Sequence, residues 1–499
     1  MKTMDNLTFG SNVWLQLVIG LVVFICLLIG IGYIATIRTK NTADFAVAGR
    51  SLGPLIVAIC MVSTYGSASS YLGNGGLAYT FGWPMAWIWI GCIPGLIIPT
   101  LLIGPRMRMI SARLNTLTIP DFLGEMYESK FLRAFVSLGI VIFYVPMMIA
   151  QFKGIGVLFS TFFDIPFVTA TLVFGIIMIM YCAMGGLLAV AWTDVVQGAF
   201  MAAVMFVLVP VSIYAVGGWG AMNMKLEAIN PTLNAIFEPI LFTPMTAFFM
   251  LIYYWLWQIG QPYMSARFFA LKDIQSFKRL VIYLIIFTTI ISGAMWAGTA
   301  GRILFPGLAD PDSVVPMVIK NYFPTFLGVM AVIGILSAIL TTVAGVLITV
   351  GTTVGHDLIN KTLNKKLTEK QALRVTQFCT FVIGGLSLAI SLWKTPHFLS
   401  LLVYAALGGM ACMVVGPVIM AVYDKKATKQ GAIAGSIIGT TLFLTLLLGI
   451  GFNVWISGAS GMITSIMVTF LASRIIGIPS KQAGDIHQYY GRVQEQLGR

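Results

Sequence analysis

Charge is what this sequence has least of. Only 9% of its 499 residues are Asp, Glu, Lys or Arg, against about 25% in a soluble domain. No stretch longer than about 30 residues is polar enough to give an apolar core a wetted surface, so a soluble enzyme is excluded. The phosphate-binding pattern G-x-x-x-x-G-K-[ST] is missing, which argues against ATP-driven work by this chain. The three histidines (His356, His397, His487) stand far apart, and no HExxH or Cys/His cluster offers to hold a catalytic metal. An intramembrane hydrolase needs paired buried aspartates or a serine with a base, and neither is present. The six cysteines (Cys26, Cys60, Cys92, Cys182, Cys379, Cys412) lie in apolar runs without pairing spacing, as packing thiols do.

What is present is apolar: 58% hydrophobic residues and a mean hydropathy of +0.93, the composition of a membrane protein. About 20 apolar residues cross the hydrocarbon core as a helix. On that measure thirteen runs qualify, near 13–37, 54–79, 83–105, 133–161, 164–186, 189–216, 241–263, 279–304, 326–353, 372–393, 398–422, 431–451 and 453–473. The first is too long for the apolar region of a cleaved signal peptide, so it is expected to remain as a helix. The connections alternate in Lys and Arg: 24 of the 30 basic residues fall on one side. Basic connections stay cytoplasmic, which places the N-terminus outside and the C-terminus inside. The net charge of +13 then faces anionic lipid, and nucleic acid is not expected as a partner.

Two runs are chemically odd and five apart. The second contains Ser63-Thr64-Tyr65-Gly66-Ser67-Ala68-Ser69-Ser70-Tyr71-Leu72-Gly73-Asn74-Gly75-Gly76, too rich in Gly and Ser for a continuous lipid-facing helix. The seventh contains Trp257-Gln258-Ile259-Gly260-Gln261-Pro262, where proline removes a donor and glycine weakens the helix. A repeat of five helices has an odd count, so its second copy enters from the opposite face. Interrupted helices opening two inverted repeats point to a binding site at mid-membrane. Ordinary small-residue helix packing would also account for the second run taken alone.

Ionisable groups inside a membrane are functional candidates by default. Asp194 near the start of the sixth run reads either as an interfacial or capping carboxylate or as a long-range counter-charge for a cation. Lys153 reads either as snorkelling to the outer headgroups or as contacting a substrate carboxylate. Adjacent Thr341 and Thr342 in the ninth run either bond back to carbonyls one turn earlier or offer oxygen to a hard cation.

The chain resembles the sodium/solute symporters over about residues 10–475. The resemblance rests on Ala48-Gly49-Arg50-Ser51-Leu52-Gly53-Pro54, Leu117-Thr118-Ile119-Pro120-Asp121-Phe122, Gly185-Gly186 with Trp192-Thr193-Asp194, Gly260-Gln261-Pro262 with Arg267-Phe268, and Leu336-Ser337-Ala338-Ile339. It implies an all-α polytopic membrane protein of thirteen transmembrane helices with a LeuT-type core of two inverted five-helix repeats. The expected division is 1–53, an extra helix and loop; 54–216 and 241–422, the repeats; 431–475, two extra helices; and 476–499, a tail. It also implies a sodium site of the Ser63, Gly66 and Ala338 carbonyls with the Thr341 and Thr342 hydroxyls, and Asp194 behind it. Some members hold an additional sodium through hydroxyls one turn further along the ninth helix. Ala344 and Gly345 stand there, so one coupling sodium is expected.

Within the family, the stretch around Tyr65, with Gln151 and Phe152, is similar to the pantothenate branch, which implies a solute pocket lined by Tyr65, Ser69, Gln151, Tyr254, Gln258 and Pro262. The implied activity is not enzymatic: sodium-driven import of a small organic solute, a monocarboxylate such as pantothenate, across the cell membrane, with no obligate protein partner. Proline or another amino acid is the alternative solute, and a passive channel or membrane sensor the alternative from a different class.

Overall fold

The computed structural model describes residues 11–38, 46–183, 187–363, 368–393, 398–482 and 484–486. The Gly185-Gly186 pair, Lys394, His397 and His487 lie outside them. Among the described residues the chain is all-helical, and β structure is limited to two isolated bridges. Among the described residues nine helices are long and apolar enough to cross a membrane, and the bent pair Pro54–Tyr65 with Ser69–Phe81 makes up to ten. Shorter apolar helices cover Phe167–Met180 and Phe381–Trp393.

In chain order, α1 is Ser11–Arg38, α2 Pro54–Tyr65, α3 Asn74–Phe81, α4 Ala86–Leu102, α5 Gly104–Leu114, α6 Ile119–Met126, α7 Lys130–Phe163, α8 Phe167–Ala183, α9 Leu187–Ala215 and α10 Trp219–Ile229. There follow α11 Pro244–Trp257, α12 Pro262–Ala270, α13 Ser276–Ile290, α14 Ala294–Leu304, α15 Val314–Tyr322, α16 Thr325–Thr352, α17 Glu369–Trp393, α18 Leu399–Tyr423, α19 Lys429–Leu444 and α20 Val454–Ile475.

Both runs flagged for their glycine, serine and proline are broken. The second bends by 64° where Gly66 leaves helical geometry (φ −70°, ψ 74°). The seventh narrows to a tight turn over Gln258–Gly260, passes an extended Gln261 and restarts with Pro262 at its first position, where the missing N–H costs nothing. Small residues let helices close on these breaks. A Cβ on Gly298 of α14 would lie 2.1 Å from the Gly75 carbonyl oxygen, and one on Gly95 of α4 would lie 2.2 Å from that of Tyr254, so only glycine permits the observed approach.

The strongest burial belongs to α16, which with the π-helical turns after it forms one continuous helix, Thr325–Thr362, of 38 residues. At 1.5 Å per residue it is about 57 Å long, nearly twice the hydrocarbon core. Its last ten residues therefore project beyond the membrane, on the face that carries α6 and the basic connections. By contrast α1 exposes most of its apolar surface, as a lipid-facing peripheral helix does.

On the basic face the two broken helices are joined by their backbones. Leu52 N–H, just before α2, donates to the Ala270 carbonyl at 3.0 Å, and Lys272 N–H, just after α12, donates to the Leu52 carbonyl at 2.9 Å. Arg50 fastens to the adjoining end of α5 and the residues just after it by donating to the carbonyls of Ser111 (3.1 Å) and Thr116 (2.9 Å).

Candidate cation and solute site between the broken helices

The end of α2 lies against the middle of α16. The Thr341 hydroxyl donates to the Ser63 carbonyl at 2.8 Å and lies 3.2 Å from that of Ala338. The Thr342 hydroxyl donates to the Thr64 carbonyl at 2.9 Å and lies 3.0 Å from that of Ala338. All five residues are buried. The hydroxyls thus reach back one turn, as threonines in a buried helix do, and also across to carbonyls at the break. Thr64 supplies a carbonyl that sequence reasoning did not assign, whereas the Gly66 residue beside it donates its N–H to Val62 at 2.7 Å.

Asp194 is fully buried within α9, and neither carboxylate oxygen has a hydrogen-bond partner among the described residues. Its charged neighbour is Arg267 at 3.9 Å. In the sequence Arg267 follows the seventh apolar run, where a basic residue of a connection is expected. The structure instead places it in α12, 1% exposed, donating to the Thr64 hydroxyl at 3.0 Å and the Tyr263 carbonyl at 3.3 Å.

Between the breaks four aromatic side chains close a buried cage. Tyr65 packs on Trp257 with ring centroids 5.7 Å apart, and Tyr254 meets Trp257 at 6.2 Å and Tyr404 at 5.9 Å. The Tyr65 hydroxyl accepts from the Cys92 thiol at 2.9 Å. Asn74 Oδ1 accepts from Tyr404 (2.9 Å) and Ser400 (2.8 Å), and the Ser400 hydroxyl also contacts the Ser69 hydroxyl at 3.2 Å and carbonyl at 3.0 Å. Gln151 accepts from the Ala68 N–H at 3.1 Å, so it steadies the break of the second run. In contrast Tyr254 OH, Trp257 Nε1 and both amide atoms of Gln258 are buried without hydrogen-bond partners among the described residues. Pro262 sits apart from the cage and lines, with Arg267, Thr118, Thr349 and Thr352, a cavity of about 20 Å³, the size of one water.

Lys153 neither snorkels nor faces the cage. It is buried and pairs with Asp312 Oδ2 at 2.8 Å, which also receives the Leu399 N–H at 3.1 Å. On the basic face Asp121, His356 and Asp357 bring their ligand atoms within 4.8 Å of one another. They do not need an ion. Arg133 and Lys361 stand 3.6 and 3.7 Å from Asp121, and Thr118 donates to Asp357 at 2.8 Å.

The family profile described as the sodium:solute symporter family matches residues 45–439. The chain belongs to that family. It is therefore a membrane transporter and not an enzyme. It is 28% identical over 472 residues to the sodium/pantothenate symporter of Escherichia coli K12, covering 92% of this chain and 95% of that one. It is 27% identical over 478 residues to the high-affinity proline transporter PutP of Bacillus subtilis 168, covering 93% and 99%. The substrate-bound, outward-open structure of a Na+-coupled sialic acid symporter shares the fold at a TM-score of 0.80 and 18% identity, over 95% of this chain and all of that one. MhsT in complex with L-phenylalanine shares it more distantly, at a TM-score of 0.52 and 12% identity, over 84% and 98%.

Proposed function

We propose that this symporter imports a small monocarboxylate, with pantothenate the leading candidate, driven by one sodium ion per solute. The observation that carries the sodium reading is the convergence of the Thr341 and Thr342 hydroxyls on the Ser63, Thr64 and Ala338 carbonyls. Hydroxyl and carbonyl oxygens are what a hard cation prefers. In this reading Gly66 adds a carbonyl from the break and Asp194 contributes charge at longer range. A sodium held there would join α2 to α16, favour one arrangement of the breaks and raise solute affinity, and the solute would raise sodium affinity equally. One positive charge crossing 100 mV supplies about 2.3 kcal/mol.

The proposed architecture is thirteen crossings in the cell membrane with the basic face cytoplasmic, the N-terminus outside and the C-terminus inside. Residues 54–216 and 241–422 are the inverted five-helix repeats, 1–53 precedes them, and 431–475 and the 476–499 tail follow. The solute lies between the broken helices against Tyr65, Ser69, Gln151, Tyr254 and Gln258, while Pro262, expected in the same pocket, sits apart from the cage and restarts the second broken helix. Unpartnered amide and hydroxyl groups of Gln258 and Tyr254 suit a hydroxylated amide chain, and Tyr65 gives a substrate ammonium no carboxylate to pair with. A proline substrate is the second reading, favoured by the nearly equal identity to the Bacillus proline transporter.

Uptake into proteoliposomes under an inward sodium gradient decides between them. Pantothenate and other short monocarboxylates are expected to displace the transported solute, while proline and neutral sugars are not. Competition by proline at micromolar concentration, with pantothenate failing at millimolar, would overturn the solute assignment. Flux that saturates in neither sodium nor solute would mean a channel.

A further inference from the structure

The small cavity that Pro262 lines lies between the cage and the basic face, walled by α12, by the end of α16 and its π-helical continuation, and by the turn before α6. Three of its lining side chains carry a donor with no hydrogen-bond partner among the described residues: Arg267 Nε, Thr352 Oγ1 and Thr353 Oγ1. These residues are 1%, 6% and 0% exposed. The other nitrogens of the guanidinium are engaged, donating to the Thr64 hydroxyl at 3.0 Å and the Tyr263 carbonyl at 3.3 Å. A buried donor left unmade is costly, and three around one space point to a ligand taken up at another step of the transport cycle. The charge decides its class. Arg267 is permanently cationic, no acidic side chain lines the cavity, and Asp194, 3.9 Å from Arg267, is not part of the lining. A cation there would meet a positive charge. A carboxylate would meet a guanidinium N–H and two hydroxyls, donors that suit it.

We propose that this cavity is the closed form of an inner carboxylate station, in which Arg267, Thr352 and Thr353 receive the solute's carboxylate on its way from the cage to the basic face. The inference rests on the monocarboxylate reading above. At about 20 Å³ the cavity has room for one water, so the station forms when its wall withdraws. The wall that can do so is the turn before α6. Thr118 lines the cavity and donates to both oxygens of Asp357 at 2.8 Å, a contact between two separate elements. Parting α6 from the end of α16 there enlarges the cavity towards the basic face and leaves Arg267, Thr352 and Thr353 in place, because all three sit on the opposite walls. The place of Pro262 follows as well. It meets the solute here, after the cage, and not within it.

The test compares the two faces of the full-length transporter, using pantothenate as the probe. Half-saturating concentrations are measured from the cytoplasmic face in everted membrane vesicles and from the outer face in right-side-out vesicles. Thr352→Val combined with Thr353→Val keeps the shape and removes both hydroxyls, and is expected to raise the ratio of inner to outer half-saturation about tenfold. Arg267→Lys, which keeps the charge but has no Nε donor, is expected to raise the same ratio. A second measurement stands even where those variants fail to insert. Thr353→Cys in everted vesicles is treated with an anionic and with a cationic methanethiosulfonate reagent, each rate divided by that for a free thiol and corrected for labelling of the unmodified protein. The anionic reagent is expected to be faster by about threefold or more, and pantothenate to slow it. An unmoved ratio in inserted variants, or faster labelling by the cationic reagent, overturns the station while the monocarboxylate reading stands. An unmodified protein that carries proline and no pantothenate from either face overturns both.

Discussion

Lys153 and Asp312 form a 2.8 Å ion pair in which neither side chain reaches water, with side-chain exposures of 4% and 0%. The carboxylate belongs to the Pro311–Ser313 turn before α15 and also receives the first N–H of α18, so the pair fastens a connecting segment to two helices two residues from Gln151. Breaking one side of a buried pair leaves an uncompensated charge, at a cost of about 3–5 kcal/mol, while replacing both by apolar groups is often neutral. Lys153→Met and Asp312→Leu alone are therefore expected to lower the thermal midpoint in detergent sharply, and the double substitution to recover most of it. Additive losses in the double variant would show that the two side chains do not act as a pair.

Removing the Thr341 or Thr342 hydroxyl takes away a cation ligand and also unties a carbonyl at the helix break. Loss of a buried polar interaction costs about 1–3 kcal/mol, and tenfold corresponds to about 1.4 kcal/mol. Thr341→Ala and Thr342→Ala are each expected to raise the half-saturating sodium concentration at least tenfold at normal membrane abundance. Unchanged sodium dependence in both would remove the site. Asp194→Asn should weaken sodium binding less than Thr342→Ala, because its carboxylate is already faced by Arg267.

Gln258 gives a prediction of opposite sign for stability and transport. Its buried amide atoms have no hydrogen-bond partner among the described residues, so an apolar replacement of similar size removes an unmet desolvation cost. Gln258→Leu should unfold at the same temperature or higher without solute, yet require a much higher solute concentration for half-maximal uptake. A lowered midpoint with unaltered uptake would assign Gln258 to the architecture instead.

The cluster on the basic face predicts a pH dependence. Burial together with the Asp121 charge pushes Asp357 up to about 7 against the opposing effect of His356. Burial disfavours the His356 imidazolium, but its hydrogen bond with Asp121 and the charges of Asp357 and Asp121 outweigh that and raise its pKa. Asp121 is lowered despite burial by His356, Lys361 and Arg133. A raised acid and a raised base both hold protons more tightly when folded, so stability falls as pH climbs, between about 4 and 7 for Asp357 and above about 6.5 for His356. The lowered Asp121 adds stability that is complete above about 4. The thermal midpoint is expected to decline from pH 5 to 8; Asp357→Asn should flatten the lower part of that slope and His356→Gln the upper. A midpoint that rises over this range in the unmodified protein would contradict the assignment.

The helix breaks were legible because glycine, serine and proline act through local backbone chemistry, and the threonine pair stood out as two adjacent hydroxyls within an apolar run. Arg267 and Asp312 were not. Arg267 follows Pro262, where the apolar pattern stops, and so reads as one more basic loop residue; Asp312 sits in Asp310-Pro311-Asp312, which reads as a solvated turn. Each is buried only because a distant helix covers it, and hydropathy along the chain carries no record of that. The Asn74, Ser400 and Tyr404 network was illegible for the same reason, since more than 300 residues separate its halves.

The two backbone hydrogen bonds between Leu52 and the Ala270–Lys272 segment act as a yoke. Each interrupted helix has its own hinge, and two independent hinges would allow one half of the site to swing while the other stayed put, opening a path for uncoupled leakage. With their ends tied on the basic face, neither helix turns there without pulling its counterpart. A movement of either broken helix at that end must carry the other with it or break both hydrogen bonds, a linkage that would keep the two halves of the candidate site in step.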